Sequence, residues 1–382
     1  MKSKRLLPEH NFVLPLTLLG WLLSTQAYAQ QPVVPVAQEF LVGAYYFSGW
    51  WRDPPTHFKP ERPTPGMDDW RAKFPEREPL TGWYDDRQEI MDRQIDLAAD
   101  GGLSFFCFDW FPRRPGQSMP GAEQNNLNGL HFFVASPKKN RLRFNLTYVN
   151  HPPFGMGMPE WQRTVDEWVG YFKDPRYLRV NGKAVFVVYD AAEMLKGMGN
   201  SPAHVQAAIG LLRQRAAASG AGELMVGGGL QWTGPNGSYA KHFASQGYDF
   251  YTAYDYPIEF LEPKGRDYAD LIGLQQQLLE GFAQVSPVPY VPVVDTNSDT
   301  RTILADRAAW FAGSTPAKFR SMLEMAKKLI LSDPKFRAPA PNGGQPLLFI
   351  YAWNELSEGG ILVPTKGDNG AYLEQVKKVF RP

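Results

Sequence analysis

Cysteine is almost missing from this sequence. Cys107 is its only one, so no internal disulfide can form and no second thiol is available to share a metal. Also missing is an excess of one charge. The 40 Lys and Arg against 39 Asp and Glu give a formal net charge of +1. That balance excludes the basic footprint of a nucleic-acid binder and an electrostatic hold on a membrane. The six histidines are scattered, with no H-E-x-x-H, so no metal site is expected. A G-x-S-x-G elbow and a P-loop are absent, and where a dinucleotide site would carry G-x-G-x-x-G the chain reads FSGWW. Serine-hydrolase chemistry, nucleotide binding and dinucleotide binding each lose their usual sequence mark, and no cofactor is expected.

Long hydrophobic runs are scarce too. Lys2, Lys4 and Arg5 precede a mostly apolar stretch at 12–23, and Ala27-Tyr28-Ala29 supplies an A-x-A cleavage site. The run is shorter than the roughly 20 apolar residues a membrane span needs. Residues 1–29 therefore read as a signal peptide cleaved after Ala29, with a retained N-terminal anchor as the alternative, and 30–382 as one catalytic domain, periplasmic or secreted and off the membrane after cleavage. Export without disulfides suits a bacterial periplasm.

Aromatic residues, in contrast, are plentiful: 14% of the chain, with 11 Trp and 17 Tyr. Some must fill a core. Trp and Tyr are also what a sugar-binding cleft uses, since the apolar faces of pyranose rings stack on aromatic rings. Position along the chain has to separate the two uses.

Strands and helices alternate after the leader. Apolar strands are expected at 40–47, 103–111, 143–149, 183–189, 224–230, 249–254, 290–294 and 347–353, each followed by a helical pattern. Asp85 and Asp86 are expected to cap the first helix, and Ser201-Pro202 and Thr315-Pro316 to open two later ones. The Pro-rich stretch at 51–83 is too long for a simple connection and reads as a functional loop or lid. Strands that alternate with helices and are apolar on both faces imply a parallel sheet covered by helices. Eight such units point to a (β/α)8 TIM barrel, one domain with inserted loops after strands one and two. The rival open, doubly wound sheet lacks its glycine fingerprint.

In a barrel of this kind the chemistry sits at the C-terminal ends of the strands. Acids and aromatics recur there: Tyr46, Asp109, Trp110, His151, Tyr189, Asp190, Trp232, Tyr254, Asp255, Asp295, Asn354, Glu355 and Glu358. Any one of them has an ordinary explanation. Asp190 and Asp255 could cap the loops that follow, and His151 could be structural. The last strand is the most informative, because FIYAWNELSEGG (349–360) carries Glu355 and Glu358 three residues apart just where it leaves the core. Glycoside cleavage commonly uses such a pair, one acid to protonate the departing oxygen and one group to assist at the sugar. Close carboxylates raise one another's pKa and so keep a proton available. The plain alternative is a solvated loop with surface acids.

At WNELSEG the sequence resembles the glycoside hydrolase family 99-like group, which includes endo-α-mannosidases and the WbsX-type proteins named as glycosyltransferases. That group shows W/F-N-E-W-x-E-G at its last strand. Three more stretches are similar to it in the same order: GWYDDRQEIMDRQIDLAADGGLSFFCFDWF (82–111), DPRYLRVNGKAVFVVYD (174–190) and VVDTNSDTR (293–301). The resemblance implies a (β/α)8 barrel acting on an oligo- or polysaccharide. It implies Glu355 and Glu358 as the catalytic pair. The first would assist the sugar's own 2-hydroxyl to give a 1,2-anhydro intermediate with retention, and the second would act as general acid and then base. From their position at the strand ends, and not from the resemblance, Asn354 and the other residues named above are expected to bind the sugar. Two departures bear on substrate identity. Leu356 replaces the Trp usual between the two Glu, and the F-T-E-W segment expected after strand one gives way to the Pro-rich loop. The expected function is a secreted glycosidase acting on an α-linked glycan, with a WbsX-type glycosyltransferase and a non-catalytic glycan-binding barrel as rivals. Export counts against the transferase, because activated nucleotide sugars are made in the cytoplasm.

Overall fold

The computed structural model describes residues 39–52, 57–59, 68–112, 126–138, 140–231, 235–256 and 264–381. The leader at 1–29 and Trp232 lie outside the described residues. Eight apolar segments form strands: β1 Leu41–Tyr46, β2 Phe105–Trp110, β3 Arg143–Tyr148, β4 Lys183–Val188, β5 Leu224–Gly229, β6 Phe250–Thr252, β7 Val293–Asp295 and β8 Leu347–Tyr351. All pair in parallel, in the order β6-β5-β4-β3-β2-β1-β8-β7. The first and last strands lie side by side, Leu41 opposite Leu347 and Ala44 opposite Ile350. The two ends of the row meet through a parallel bridge between Tyr251 and Tyr290. There the Val291 amide donates to the Tyr251 carbonyl at 2.7 Å. The sheet is a (β/α)8 barrel, as the alternation of elements requires. Pro292 cannot donate to a ladder, and regular pairing of the seventh strand starts just after it, at Val293.

Helices α1 Gln88–Asp100, α2 Asn128–Ala135, α3 Met158–Phe172, α4 Ala191–Gly197, α5 Pro202–Ala218, α6 Tyr268–Val285, α7 Arg301–Leu304, α8 Pro316–Ser332 and α9 Ala371–Phe380 follow the strands. Ser201 and Thr315 cap α5 and α8 as their sequences suggest, accepting from the amides of His204 and Lys318. The expected helix near 238–245 is a 3-10 segment, Pro235–Gln246. Asp85 and Asp86 do not cap α1. Arg87 holds the cap position without a side-chain bond, because Asp86 pairs with Arg52 and Asp85 is drawn into the interior. Among the described residues, no helix is long and apolar enough to cross a membrane.

The period of two along a strand sorts each side chain to the barrel interior or to the helix layer. On β1, β2 and β8 the inward set includes Tyr45, Phe105, Asp109 and Phe349. The Tyr45 and Phe349 rings stack at 5.3 Å, and those of Phe105 and Phe349 meet edge to face at 5.6 Å. The outward set packs under helices. Phe106 meets Phe133 of α2 at 6.3 Å, and Trp110 meets Trp168 of α3 at 5.0 Å. Each such aromatic pair adds about 0.5–1.5 kcal/mol beyond its buried area. Thus Asp109 and Trp110, neighbours in sequence, belong to opposite faces of the barrel wall.

Candidate active site

After β8 the chain leaves the barrel as a tight antiparallel hairpin, Asn354–Glu355 pairing with Gly360–Ile361. The Glu358 amide donates to the Glu355 carbonyl at 3.1 Å. The two glycines that close the motif have separate reasons to be there. Gly359 has φ +82°, which L side chains rarely adopt, and a Cβ on Gly360 would sit 2.5 Å from the Tyr351 ring. The hairpin sets both carboxylates at the C-terminal end of the barrel, Glu355 buried at 6% exposure and Glu358 half-buried.

Each carboxylate meets a tyrosine. The Tyr254 hydroxyl, just beyond β6, lies 2.5 Å from Glu355 Oε1 and 2.8 Å from Asp109 Oδ2 at the end of β2. Tyr351, the last residue of β8, donates to Glu358 Oε2. The Tyr254 ring is held between Tyr45 at 4.7 Å, Tyr189 at 5.1 Å and Tyr351 at 5.2 Å. Burial pushes the Glu355 carboxyl well above the usual range, and the charges of Glu358 and Asp109 push it further, against the Tyr254 hydrogen bond. Asp109 is raised too, chiefly by burial and then by Glu358. Burial first, then neighbouring carboxylates, raise the phenols of Tyr254 and Tyr351, so both stay protonated donors. Carboxyls whose hold on a proton is strengthened by burial and by one another are what acid–base chemistry uses.

The hairpin is anchored from two sides. Arg77, buried in the long loop after β1, donates to the carbonyls of Leu356 at 3.0 Å and Ser357 at 3.2 Å and pairs with Asp299 at 2.6 Å. The Asp299 amide donates to the Glu358 carbonyl at 2.6 Å, while Arg301 pairs with the same Asp299 carboxylate. Thr302 of α7 donates to the Ser357 carbonyl. Trp50 donates its indole N–H to the Asn354 carbonyl at 2.7 Å and packs against Phe58 and Trp70. The described part of the long loop is therefore the underside of the hairpin.

The other strand-end residues divide by what they touch. Tyr46 faces the helix layer and donates to Asp85 at 3.2 Å. Asn354 accepts from the Phe47 amide at 2.9 Å and donates to the Phe47 carbonyl at 2.7 Å, with Asp85 also in reach at 3.3 Å. Its amide ties β1 to the hairpin, so the expected sugar contact has no free donor there. Trp110 is 1% exposed, wedged under α3 with its indole toward Glu167. The structure thus turns it away from the mouth, a correction to its expected role that the strand period explains. Asp190 caps α4, accepting from Ala192 and Glu193 amides at 2.7 and 3.3 Å. His151, partly exposed, makes edge contacts with Phe154 and Tyr189. Tyr189 and Asp255 are half-buried near the cluster, and the charge of Asp255 is felt by Glu355. Asp295 is fully buried, with no partner for either carboxyl oxygen. Among the described residues no group of three or more His, Cys, Asp or Glu is placed to hold a metal.

Sequence reasoning missed Tyr351, Arg77, Asp299 and the burial of Asp85. Asp299 and Arg301 do lie in VVDTNSDTR, one of the stretches that carried the family resemblance, so a signal existed without a role attached.

Residues 155–376, more than half of the chain, match the family described as glycosyltransferase WbsX. No curated protein matches the chain. Among solved structures, the barrel is similar to a family 99 endo-α-mannosidase from Bacteroides thetaiotaomicron. The TM-score is 0.57 at 15% identity, covering 89% of this chain and 98% of that one. The structure of the Bacteroides family 99 endo-α-mannosidase in complex with bis-tris-propane gives 0.55 at 15% identity, over 88% and 95%. At such identity the likeness is one of fold.

Proposed function

We propose that this chain, which belongs to the family described as glycosyltransferase WbsX, is an exported glycoside hydrolase that cuts an α-linked glycan, a mannoside first among the candidates, with Glu355 and Glu358 and without a cofactor. One observation carries the reading: two carboxylates on a single rigid hairpin, each bonded to its own tyrosine, at the end of the barrel where such folds do their chemistry. The similar barrel is that of an endo-α-mannosidase, which supports the choice of linkage.

In the first step Glu355 takes the proton of the sugar's 2-hydroxyl as that oxygen attacks C1. Glu358 gives its proton to the glycosidic oxygen as the C1–O bond breaks, leaving a 1,2-anhydro sugar. In the second step water attacks C1, Glu358 accepts the water's proton, and the Glu355 carboxyl returns its proton to O2. Configuration is retained and both carboxyls end as they began. Tyr254 and Tyr351 steady the two groups by hydrogen bonds to their oxygens.

The test is release of new reducing ends from a panel of α-linked oligosaccharides and bacterial polysaccharides by the mature protein and by Glu358→Gln. General acid–base groups are worth about 10²–10⁴ in rate, so the variant should bind and release almost nothing. Silence from the wild type across the panel, with binding intact, would leave a glycan-binding barrel. The family's name favours a second reading, a transferase; product formed only when an activated sugar donor is added would establish that one instead.

A further inference from the structure

Tyr254 has one phenolic proton, yet two carboxyl oxygens lie within hydrogen-bonding distance of its hydroxyl, Glu355 Oε1 at 2.5 Å and Asp109 Oδ2 at 2.8 Å. A phenol donates once. The second contact is attractive only if that carboxyl is itself protonated and donates back to the phenol oxygen. One proton is therefore shared between Asp109 and Glu355, and the geometry says where it rests.

A hydroxyl bonded to a carboxylate anion sits at about 2.5–2.7 Å, and a neutral O–H···O bond at about 2.7–2.8 Å. The shorter bond here is to Glu355 and the longer to Asp109. The surroundings agree. Asp109 is 2% exposed, and its other oxygen, Oδ1, is buried without a partner. Leaving a carboxylate oxygen dry is costly, and a neutral carboxyl avoids most of that cost. Among the described residues, the titratable groups that face Asp109 are Tyr45, Cys107, Tyr254, Glu355 and Glu358, with Asp255 facing Glu355. All of these described groups are neutral or acidic, so none of them favours a second anion.

We infer that Asp109 is a positioning residue that holds the proton of this cluster, donating it to the Tyr254 oxygen so that the Tyr254 proton points at an ionised Glu355. This rests on the assignment of Glu355 as the base. Burial and an ionised Asp109 would otherwise keep a proton on Glu355, where it could not accept one from a sugar hydroxyl. Placing that proton one tyrosine away leaves Glu355 ready as an anion and costs the barrel only a neutral acid in its interior.

The test needs no substrate, and so stands apart from the fate of the glycosidase reading. Infrared difference spectra at neutral pH between wild type and Asp109→Asn should show loss of a protonated-carboxyl C=O band, while Glu355→Gln should keep that band and lose a carboxylate band. Loss of the protonated band in Glu355→Gln and its survival in Asp109→Asn would place the proton on Glu355 and overturn the inference. Asp85 and Asp295 stay in both proteins and cancel in the difference. With a substrate in hand, Asp109→Leu, which has no donor, should lose at least tenfold more turnover than Asp109→Asn, whose amide can still donate to Tyr254. Equal losses from the two variants, both folded, would also overturn it.

Discussion

Asp109 and Asp295 end strands of the same barrel, β2 and β7, and both are buried acids raised chiefly by desolvation. They differ in what lies beside them. Asp109 meets the Tyr254 hydroxyl, and through it Glu355 and the hairpin that carries Glu358. Asp295 has neither carboxyl oxygen bonded, its backbone amide donates to the Gln275 side-chain oxygen at 3.3 Å, and burial pushes its carboxyl up to about 8. A buried acid at a strand end is thus not by itself a mark of chemistry. The mark is a donor that ties it to a second acid.

The widest gap should open in turnover. Glu355→Gln removes the group proposed to take the sugar's proton and should lower kcat by about 10²–10⁴. Asp295→Asn, assayed on the same substrate, should lose at least about a hundredfold less. Comparable losses would mean that Asp295 reaches the substrate after all and would dissolve the distinction.

Next in size is the anchor of the hairpin. Arg77 and Asp299 are both nearly inaccessible, and breaking a buried pair by removing one partner costs about 3–5 kcal/mol. Arg77→Met should lose that much in denaturant unfolding and should also free the carbonyls of Leu356 and Ser357. Turnover should then fall at temperatures where the variant is still folded. Unchanged kcat in folded Arg77→Met would show that the hairpin keeps Glu358 in place without its clamp.

A third effect separates the two acids by pH. The Asp295 carboxyl titrates at about 8 when folded and near 3.9 when unfolded. Between those values the unfolded chain gives up its proton first, so this residue lowers stability as pH rises from about 4 to about 8. Asp295→Asn escapes that loss. Its stability relative to wild type should improve across this window, on the order of a few kcal/mol. A difference that stays flat from pH 4 to 8 would mean that Asp295 is not a lone neutral acid in the folded protein.

The sequence shows the barrel clearly, because strands buried on both faces are continuous apolar runs and each observed strand lies within or close to its expected span. Glu355 and Glu358 were legible for a related reason: charge at the end of such a run is conspicuous. Strand period could have been used further, since Asp109 and Trp110 cannot both face the barrel. The supports were hidden by distance. Arg77 and Asp299 are 222 positions apart, Asn354 and Phe47 are 307, and nothing local marks such partners. Asp85 shows the same limit from the other side. Its place before a helix predicts a cap, but Tyr46 and Asn354 offer it bonds in the interior, and Asp86 is left outside with Arg52.

Asp190 adds a third kind of strand-end acid and the smallest expected effect. Its carboxylate accepts the amides of Ala192 and Glu193, the first turn of α4, while its own backbone is clasped by the Asn150 side chain. Loss of a cap costs about 1 kcal/mol, so Asp190→Ala should unfold slightly more readily. Asp190→Ser, which can still accept those amides, should recover most of the difference. If capping is all that Asp190 does, KM should track this recovery and return toward the wild-type value in the serine variant. A serine variant that is stable again but still binds substrate poorly would move Asp190 from the class of backbone-bound acids to that of sugar-bound ones. The contrast drawn between Asp109 and Asp295 would then need a wider site, reaching from Glu355 across the mouth to β4.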